Sequence, residues 1–499
     1  MGFLNIFKKK RPRKTLTRDQ MIHLSRQFDS AKFDNIFAGW TGTSAAPDEE
    51  LKGALPTIRA RTRSLCQNSE YAKKFITLTK ANVIGPRGFK FQAKTRNAQG
   101  DLDKFDNNYL ERLFFEWSKN PDYVSVDGRQ DWLGIQNVVM ETLARDGECF
   151  IRIMRAEGGN PFGFSLWVLE GDAIPINHNI QTKNNEYIVM GIEQNKFGKP
   201  LAYYQALKTP TQLSSYDFAT ETERVPASEI IHLYMQERPS QSRGIPWLNT
   251  AIRPLQILSD YTESSLVASR IGASAIGFFK SPDGSGFVGD GEDSSGNLLT
   301  DFQPGTFQQL PNGMEFEAFD PKHPTTNFSD FVKAVLRGAA NGAGVSYNAL
   351  ANDLENVNYS SIRAGVQEDQ AHWKTLQQFM ITRFCYPVYR NWLKMGITTG
   401  QINLPMSKLF KFEEVVFHGR GWSYVDPLKE LKAKELALQM GVTSIGKITS
   451  EAGEEWTDIF AELAAEKDVA EGLGLNLTGP VNPAPTETIE VENGTNEEN

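Results

Sequence analysis

Cysteine is scarce: Cys66, Cys149 and Cys385 are scattered over 499 residues with no CxxC pair. That odd, widely spaced set excludes a disulfide framework and a cysteine-ligated zinc site, and points to buried free thiols in a reducing compartment. Long apolar runs are also missing, since nothing approaches the roughly 18 residues of a membrane-spanning helix. The opening MGFLNIFKKK places its basic residues after a short apolar core, and Ile6 stands where myristoylation needs Ser or Thr, so neither export nor lipidation is expected. An excess of positive charge is absent as well. The formal net charge is -8, which excludes a generally cationic nucleic-acid binder.

Charge is nevertheless unevenly placed. Residues 1–18 carry seven Lys and Arg and no acid, and the last twenty residues carry five Glu and no base. Both read as solvated tails, the first a flexible basic arm for which nucleic acid or an acidic partner is the alternative reading. The hydrophobic fraction of 40% is ordinary for a globular chain.

Catalytic signatures are missing or spoiled. GSGFVG, Gly284 to Gly289, matches GxGxxG but lacks a leading strand and a following helix. GVTSIGK, Gly441 to Lys447, approaches a P-loop, but Ile448 replaces the metal-binding hydroxyl and ELALQM before it is helix-like, so a helix stop and restart is expected. Asp290, Glu292 and Asp293 lack calcium-loop spacing and read as a solvated loop. There is no GxSxG and no HExxH. His232, in EIIHLYM, reads as a core or edge residue, and no metal or cofactor is expected.

Periodicity divides the chain. A helical pattern runs from about 48 to 83, a second from 105 to 117 with Phe105, Leu110, Leu113, Phe114 and Trp117 on one side, and a third from 132 to 143. Strand-like segments follow: CFIRIMR, FSLWVLE, EYIVMGIE, LAYYQAL and EIIHLYM. A long helix is expected from about 247 to 276, with Pro246 near its start. A Gly/Ser/Asp-rich insertion comes next, then strand-like pieces at 301–327. After a strand-and-turn region at 401–421, helices are expected near 427–440 and 448–466. The fold class is α+β.

The stretch from Phe328 to Leu393 organises the rest. Phe328, Phe331, Val332, Val335 and Leu336 form one apolar helical face. GAANGAG, Gly338 to Gly344, is expected to bend or end that helix, because each Gly costs about 1 kcal/mol against Ala. NALANDLENVNY, Asn348 to Tyr359, reads as an exposed polar loop. Ser360 or Ser361 then caps a helix of roughly 50 Å that carries Trp373, Met380 and Trp392. Pro387 inside it predicts a kink near Arg383.

Several segments resemble the portal (head-to-tail connector) proteins of tailed bacteriophages, lambda-like family. The most specific are RPSQSRGIPWL, Arg238 to Leu248, and NYSSIRAG, Asn358 to Gly365. Within them the matching residues are Arg238, Gln241, Arg243, Gly244, Trp247, Tyr359, Ser360, Ser361 and Arg363. Weaker agreement comes in order from ANVIGPRGFKFQ, ARDGECFIRI, GIEQNKFGKPLAYY, VPASEIIHLY and MGVTSIGKITSEAGEEW, so the likeness spans roughly 50–475.

The resemblance implies a portal fold: a mixed α/β wing, long paired stem helices, a small β-containing clip, a kinked long helix and a helical crown. On the chain these become a basic arm (1–47), wing (48–246), stem helix (247–279), clip (280–327), second stem helix and hinge (328–345), tunnel loop (346–359), kinked wing helix (360–400), crown (401–474) and disordered acidic tail (475–499). It also implies a ring, usually of twelve subunits, at one capsid vertex of the virion, assembled in the host cytoplasm. Double-stranded DNA passes through its channel in packaging and ejection. The clip between Lys280 and Asn327 docks terminase and later the neck or head-completion proteins, and major capsid and scaffolding proteins surround the ring. Asn348, Asn352, Asp353, Glu355, Asn356, Asn358 and Tyr359 would face DNA. No membrane is implied. The rival readings are a terminase-type ATPase, which needs the P-loop that Ile448 spoils, and a neck or capsid adaptor without a channel.

Overall fold

Ser69 ends one helix and starts the next. The computed structural model describes residues 44–155, 159–181, 187–207, 221–273, 277–280, 291–292, 298–299, 315–318, 328–355, 358–422 and 426–474. Helix α1 (Pro47–Asn68) opens with Pro47 and three acids in its first turn, favourable against the helix dipole. It stops where Ser69 turns extended, and the Ser69 hydroxyl accepts from the Ala72 N–H to cap α2 (Glu70–Val83). The single helix expected over 48–83 is therefore two. β1 (Lys90–Ala93) leads to α3 (Lys104–Lys119), whose buried stripe is Leu110, Leu113, Phe114 and Trp117. Phe105 does not join it, being 82% exposed in the first turn. α4 (Trp132–Asp146) runs one turn beyond the expected end and stops at Gly147, φ 83°.

The strand-rich part holds two antiparallel sheets. In the first, β2 (Glu148–Arg155) lies between β3 (Phe164–Leu169) and, later in the chain, β9 (Ile230–Tyr234). The second is a meander of β4 (Ile180–Gln181), β5 (Tyr187–Val189), β6 (Ile192–Gln194), β7 (Pro200–Ala206) and β8 (Thr222–Pro226). EYIVMGIE is two strands rather than one. Met190 (φ 48°) and Gly191 (φ 78°) both take the left-handed region that a two-residue hairpin turn demands. Alternation along β2 divides the interior: Cys149, Ile151 and Ile153 join the large core, while Phe150 joins a small one with Ile174, Ile192, Tyr203 and Ile230.

Two helices follow, packed antiparallel. α5 (Ile252–Ala273) begins after a 3-10 turn at Asn249–Ala251, several residues later than Pro246 suggested. Short strand pairs, β10 (Gly277–Lys280) with β13 (Glu315–Ala318) and β11 (Gly291–Glu292) with β12 (Leu298–Leu299), belong to the next segment. α6 (Phe328–Ala343) then returns along α5. Tyr261 stacks on Phe328 at 5.6 Å between centroids, and the Thr250 hydroxyl donates to the Gly342 carbonyl at 3.0 Å. α6 runs on through Gly338 and Gly342 and ends within GAANGAG only at its last glycine, Gly344, φ 71°. Ala339, Ala340 and Ala343 are buried, so packing of small side chains outweighs the weak helix propensity.

The short helix α7 (Tyr347–Ala351) interrupts the expected exposed loop and buries Leu350. α8 (Tyr359–Met380) is capped by Asn358, whose side chain accepts from the Ser361 N–H at 2.8 Å; neither Ser360 nor Ser361 is the cap. Near Arg383 the helix widens into a π-turn, Ile381–Cys385, and continues as α9 (Tyr386–Thr399) with Pro387 in its first turn. The irregularity that Pro387 demanded is thus taken up as a wide turn, with the Tyr386 N–H bonded to the Ile381 carbonyl. Trp392, Tyr389 and Phe384 enter an aromatic core with Phe114, Trp117 and Trp132.

β14 (Val415–His418) closes a two-stranded sheet with β1. Three helices end the described chain: α10 (Pro427–Gln439), α11 (Ile445–Glu451) and α12 (Trp456–Gly472). The helix expected over 448–466 is two, divided at Gly453, φ 81°. GVTSIGK is the stop and restart expected of it: Gly441 is left-handed and Ser444 caps α11. Cys149 and Cys385 are buried free thiols, while Cys66 is half-buried. Residues 1–43 of the basic arm, GSGFVG, most of 280–327, Asn356 and the acidic segment 475–499 lie outside the described residues.

Candidate functional site

RPSQSRGIPWL makes its contacts with residues far away in the chain. Arg243 is fully buried and its guanidinium is saturated. Nε donates to both Glu148 carboxylate oxygens at 2.8 and 2.9 Å, Nη1 to the carbonyls of Ile174 and Met190, and Nη2 to that of Gly171 at 2.6 Å. Glu148, also fully buried, receives Arg59 Nη2 at 2.6 Å, His232 Nε2 at 3.2 Å and the Gly244 N–H at 3.0 Å. Burial alone would raise the Glu148 carboxyl. Arg243, His232 and Arg59 outweigh that and hold it well below the usual carboxylate range. Burial lowers His232, which its bond to Glu148 only partly offsets. The imidazole is buried against a carboxylate that Arg243 and Arg59 already hold, so His232 is the core residue its strand suggested.

The rest of the motif extends this junction. Gln241 accepts from the N–H groups of Glu237 and Arg238 and donates to the Arg243 carbonyl at 2.8 Å. Ser242 binds Asp48 through both its N–H and its hydroxyl, Arg238 pairs with Glu50 at 2.6 Å, and the Trp247 N–H reaches the Ala144 carbonyl. Arg63 and Arg145 share Asp146 alongside, and Arg59 also contacts Asp172. The motif therefore ties α1, the end of α4, both sheets and the entry to α5 into one polar knot. Arg59 and Glu148 went unremarked in the sequence, although Arg59 falls on the apolar face with Leu51, Leu55 and Thr62.

The second cluster holds the loop after α7. Ser346 caps α7 and binds Asp369 on α8 through both its N–H and its hydroxyl. Asn352 ends α7 in the left-handed region, φ 53°. Asp353 accepts the Tyr347 hydroxyl at 2.7 Å, and Lys333 on α6 lies 3.5 Å from Asp353 and 3.4 Å from Glu355. The Tyr347 hydroxyl, chiefly Asp353's partner, lowers that carboxyl, and desolvation followed by Asp353 pushes Tyr347 up to about 12. Asn352, Glu355 and Asn358 face solvent, and Asn348 is half-buried in α7. In NYSSIRAG, Ser360 and Ser361 are exposed in the first turn of α8, and Arg363 comes within 3.9 Å of Glu430 on α10. Tyr359 lies in the same turn. Asp353 and Glu355 are thus brought to α6, whereas Asn352 is exposed and Asn358 caps α8. This arrangement presents neutral and acidic groups on a braced loop.

Among the described residues no group of three or more His, Cys, Asp or Glu could hold a metal ion. No described helix is long and apolar enough to cross a membrane.

The model of the family described as phage portal protein, lambda family, matches residues 33–377. A probable portal protein of Halomonas phage phiHAP-1 is 31% identical over 467 residues, covering 92% of this chain and 89% of that protein. The portal protein of Escherichia phage N15 is 20% identical, covering 89% and 90% respectively. Among solved structures, a chain from the neck of an empty GTA particle gives a TM-score of 0.43 at 12% identity, covering 84% of this chain and 97% of that one. With more than half its length inside the family model and a 31% identical relative along nearly all of it, the chain belongs to the lambda family of phage portal proteins.

Proposed function

We propose that this chain is a non-enzymatic ring subunit, one of about twelve, that surrounds a channel for double-stranded DNA at one capsid vertex. The antiparallel pair α5 and α6 forms the stem lining that channel, the loop at 346–359 lies nearest the DNA, and the segment over 280–327 is the clip that meets terminase and then neck proteins. The remainder of 48–246 with α8 and α9 forms the wing, and 401–474 forms the crown. Scaffolding and major capsid proteins contact its outer side.

The observation that carries this reading is the brace of Lys333, Tyr347, Asp353 and Ser346. It fixes a neutral-to-acidic loop at one end of a helix pair, with Asn352 exposed beside the paired Glu355 and the capping Asn358. A conduit must touch DNA without holding it. Each neutralised phosphate releases counterions and adds salt-dependent affinity, so a loop face without Lys or Arg keeps contacts weak. Exposed Leu266 (67%) and Val267 (51%) on α5 suit burial against a neighbouring copy. A motor role finds no support in GVTSIGK, which follows a helix and caps another instead of bridging strand to helix.

Electron microscopy of the purified protein tests the assembly: closed rings with a central channel are expected, and persistent monomers or solid particles would sink the proposal. Placing Lys at Asn352 and Asn356 should slow DNA packaging in vitro, more at low salt than at high salt. Equal rates for variant and parent at both salts would remove the loop from the DNA path.

A further inference from the structure

A groove of about 1230 Å³ runs between α3, the start of α4 and the turn joining α11 to α12. Its floor is apolar, with Phe115 58% exposed and Leu133 beside it. Its charges are unbalanced. Each acid on the wall is engaged: Glu111 accepts the Ala93 N–H, Asp131 caps α4, and Glu454 pairs with Arg87 and Lys90. The cations Arg112, Lys119 and Arg420 have no carboxylate partner among the described residues. Arg112 lies over the Tyr109 ring, Lys119 lies 4.0 Å over Phe115, and Arg420 donates to the Ala81 carbonyl. An apolar floor under unpaired cations suits an extended acidic peptide with apolar residues at alternate positions.

The chain contains such a peptide. ETIEVE, Glu487 to Glu492, alternates so that an extended backbone turns Ile489 and Val491 to one side and Glu490 and Glu492 to the other. Its reach is sufficient. α12 starts at the groove, where Asp458 pairs with Lys90 at 2.9 Å, and its 17 residues carry the chain about 25 Å away. The thirteen steps from Gly474 to Glu487 span up to about 43 Å, enough to come back. We propose that this groove is the docking site of the chain's own acidic segment at 487–492, with Ile489 and Val491 on Phe115 and Leu133, and with Glu490 and Glu492 against Arg112 and Lys119.

Cysteine trapping in the full-length protein tests this. With Phe115→Cys and Ile489→Cys together, mild oxidation should give an intrachain disulfide, in clear excess over a Phe115→Cys, Asn499→Cys control. Adding Arg112→Glu and Lys119→Glu should lower the yield about tenfold, and adding Glu490→Lys and Glu492→Lys to those should restore it. The exposed positions of Arg112 and Lys119 leave the fold intact, which an unchanged thermal midpoint would verify. Trapping no better than the Asn499→Cys control, or indifferent to the charge reversals, overturns the proposal. Interchain dimers in place of the intrachain product overturn it too, by making a second copy the occupant.

Discussion

Replacing Arg243 with methionine should cost about 3–5 kcal/mol of folding free energy, because it leaves the Glu148 carboxylate buried with too little compensation. Methionine fills much of the space but supplies none of the five donors. Glu148 would keep Arg59 and His232 but lose one of its two 2.6 Å ion pairs, and the carbonyls of Gly171, Ile174 and Met190 would lose their donors in a dry interior. Lysine should do little better, since an ammonium cannot reach a carboxylate and three diverging carbonyls at once. Chemical unfolding of the purified variant measures the loss. A shift below about 1 kcal/mol would mean that water enters the site and that the knot is not the dry junction described.

Gly244→Ala should be as damaging for a different reason. A Cβ there would sit 2.1 Å from the Gly147 carbonyl oxygen and 2.8 Å from Tyr234 Cβ. Gly147 faces it with φ 83°, and a Cβ on Gly147 would stand 2.1 Å from the Ile245 carbonyl carbon. Two stretches of main chain touch, so no side chain can rotate away, and the helix end at Gly147 must part from the motif. A loss of about 3 kcal/mol or more is expected. Gly365→Ala provides the contrast within the other motif: it lies in α8 with nothing within 4 Å, so alanine should stabilise a dissociated subunit by up to about 1 kcal/mol. Similar urea midpoints for the two alanine variants would refute the contact argument.

Helical periodicity was readable wherever one face meets a core, as in α3 and along α8 and α9, where Trp373, Leu376, Met380 and Trp392 recur and are buried. It misled at Phe105, which keeps the spacing but projects beyond the packed part of its helix. Breaks were harder to see. Ser69 carries no Gly or Pro to announce itself, whereas the break that GAANGAG announces comes only at its last glycine, after Gly342 has packed on Thr250. The family motif could be recognised as a string, but not why it takes that form. Arg243 finds its partners at 148, 171, 174 and 190, and nothing local in the sequence brings those positions together. The loop was legible as polar and exposed, but its brace was not, because Lys333 and Asp369 belong to helices on either side.

The π-turn at Ile381–Cys385 adds a residue to one helical revolution, so the rod from Tyr359 to Thr399 is two rods out of phase. Before it, Gln377 grips the Asn82 and Arg420 carbonyls; after it, Tyr389 donates to the Phe412 carbonyl. The azimuth of the loop about the aromatic core is therefore stored in one supernumerary residue. Because each residue of an α-helix turns its neighbour by about 100°, losing that residue would swing everything toward Asn358 by that angle while the aromatic end stayed fixed.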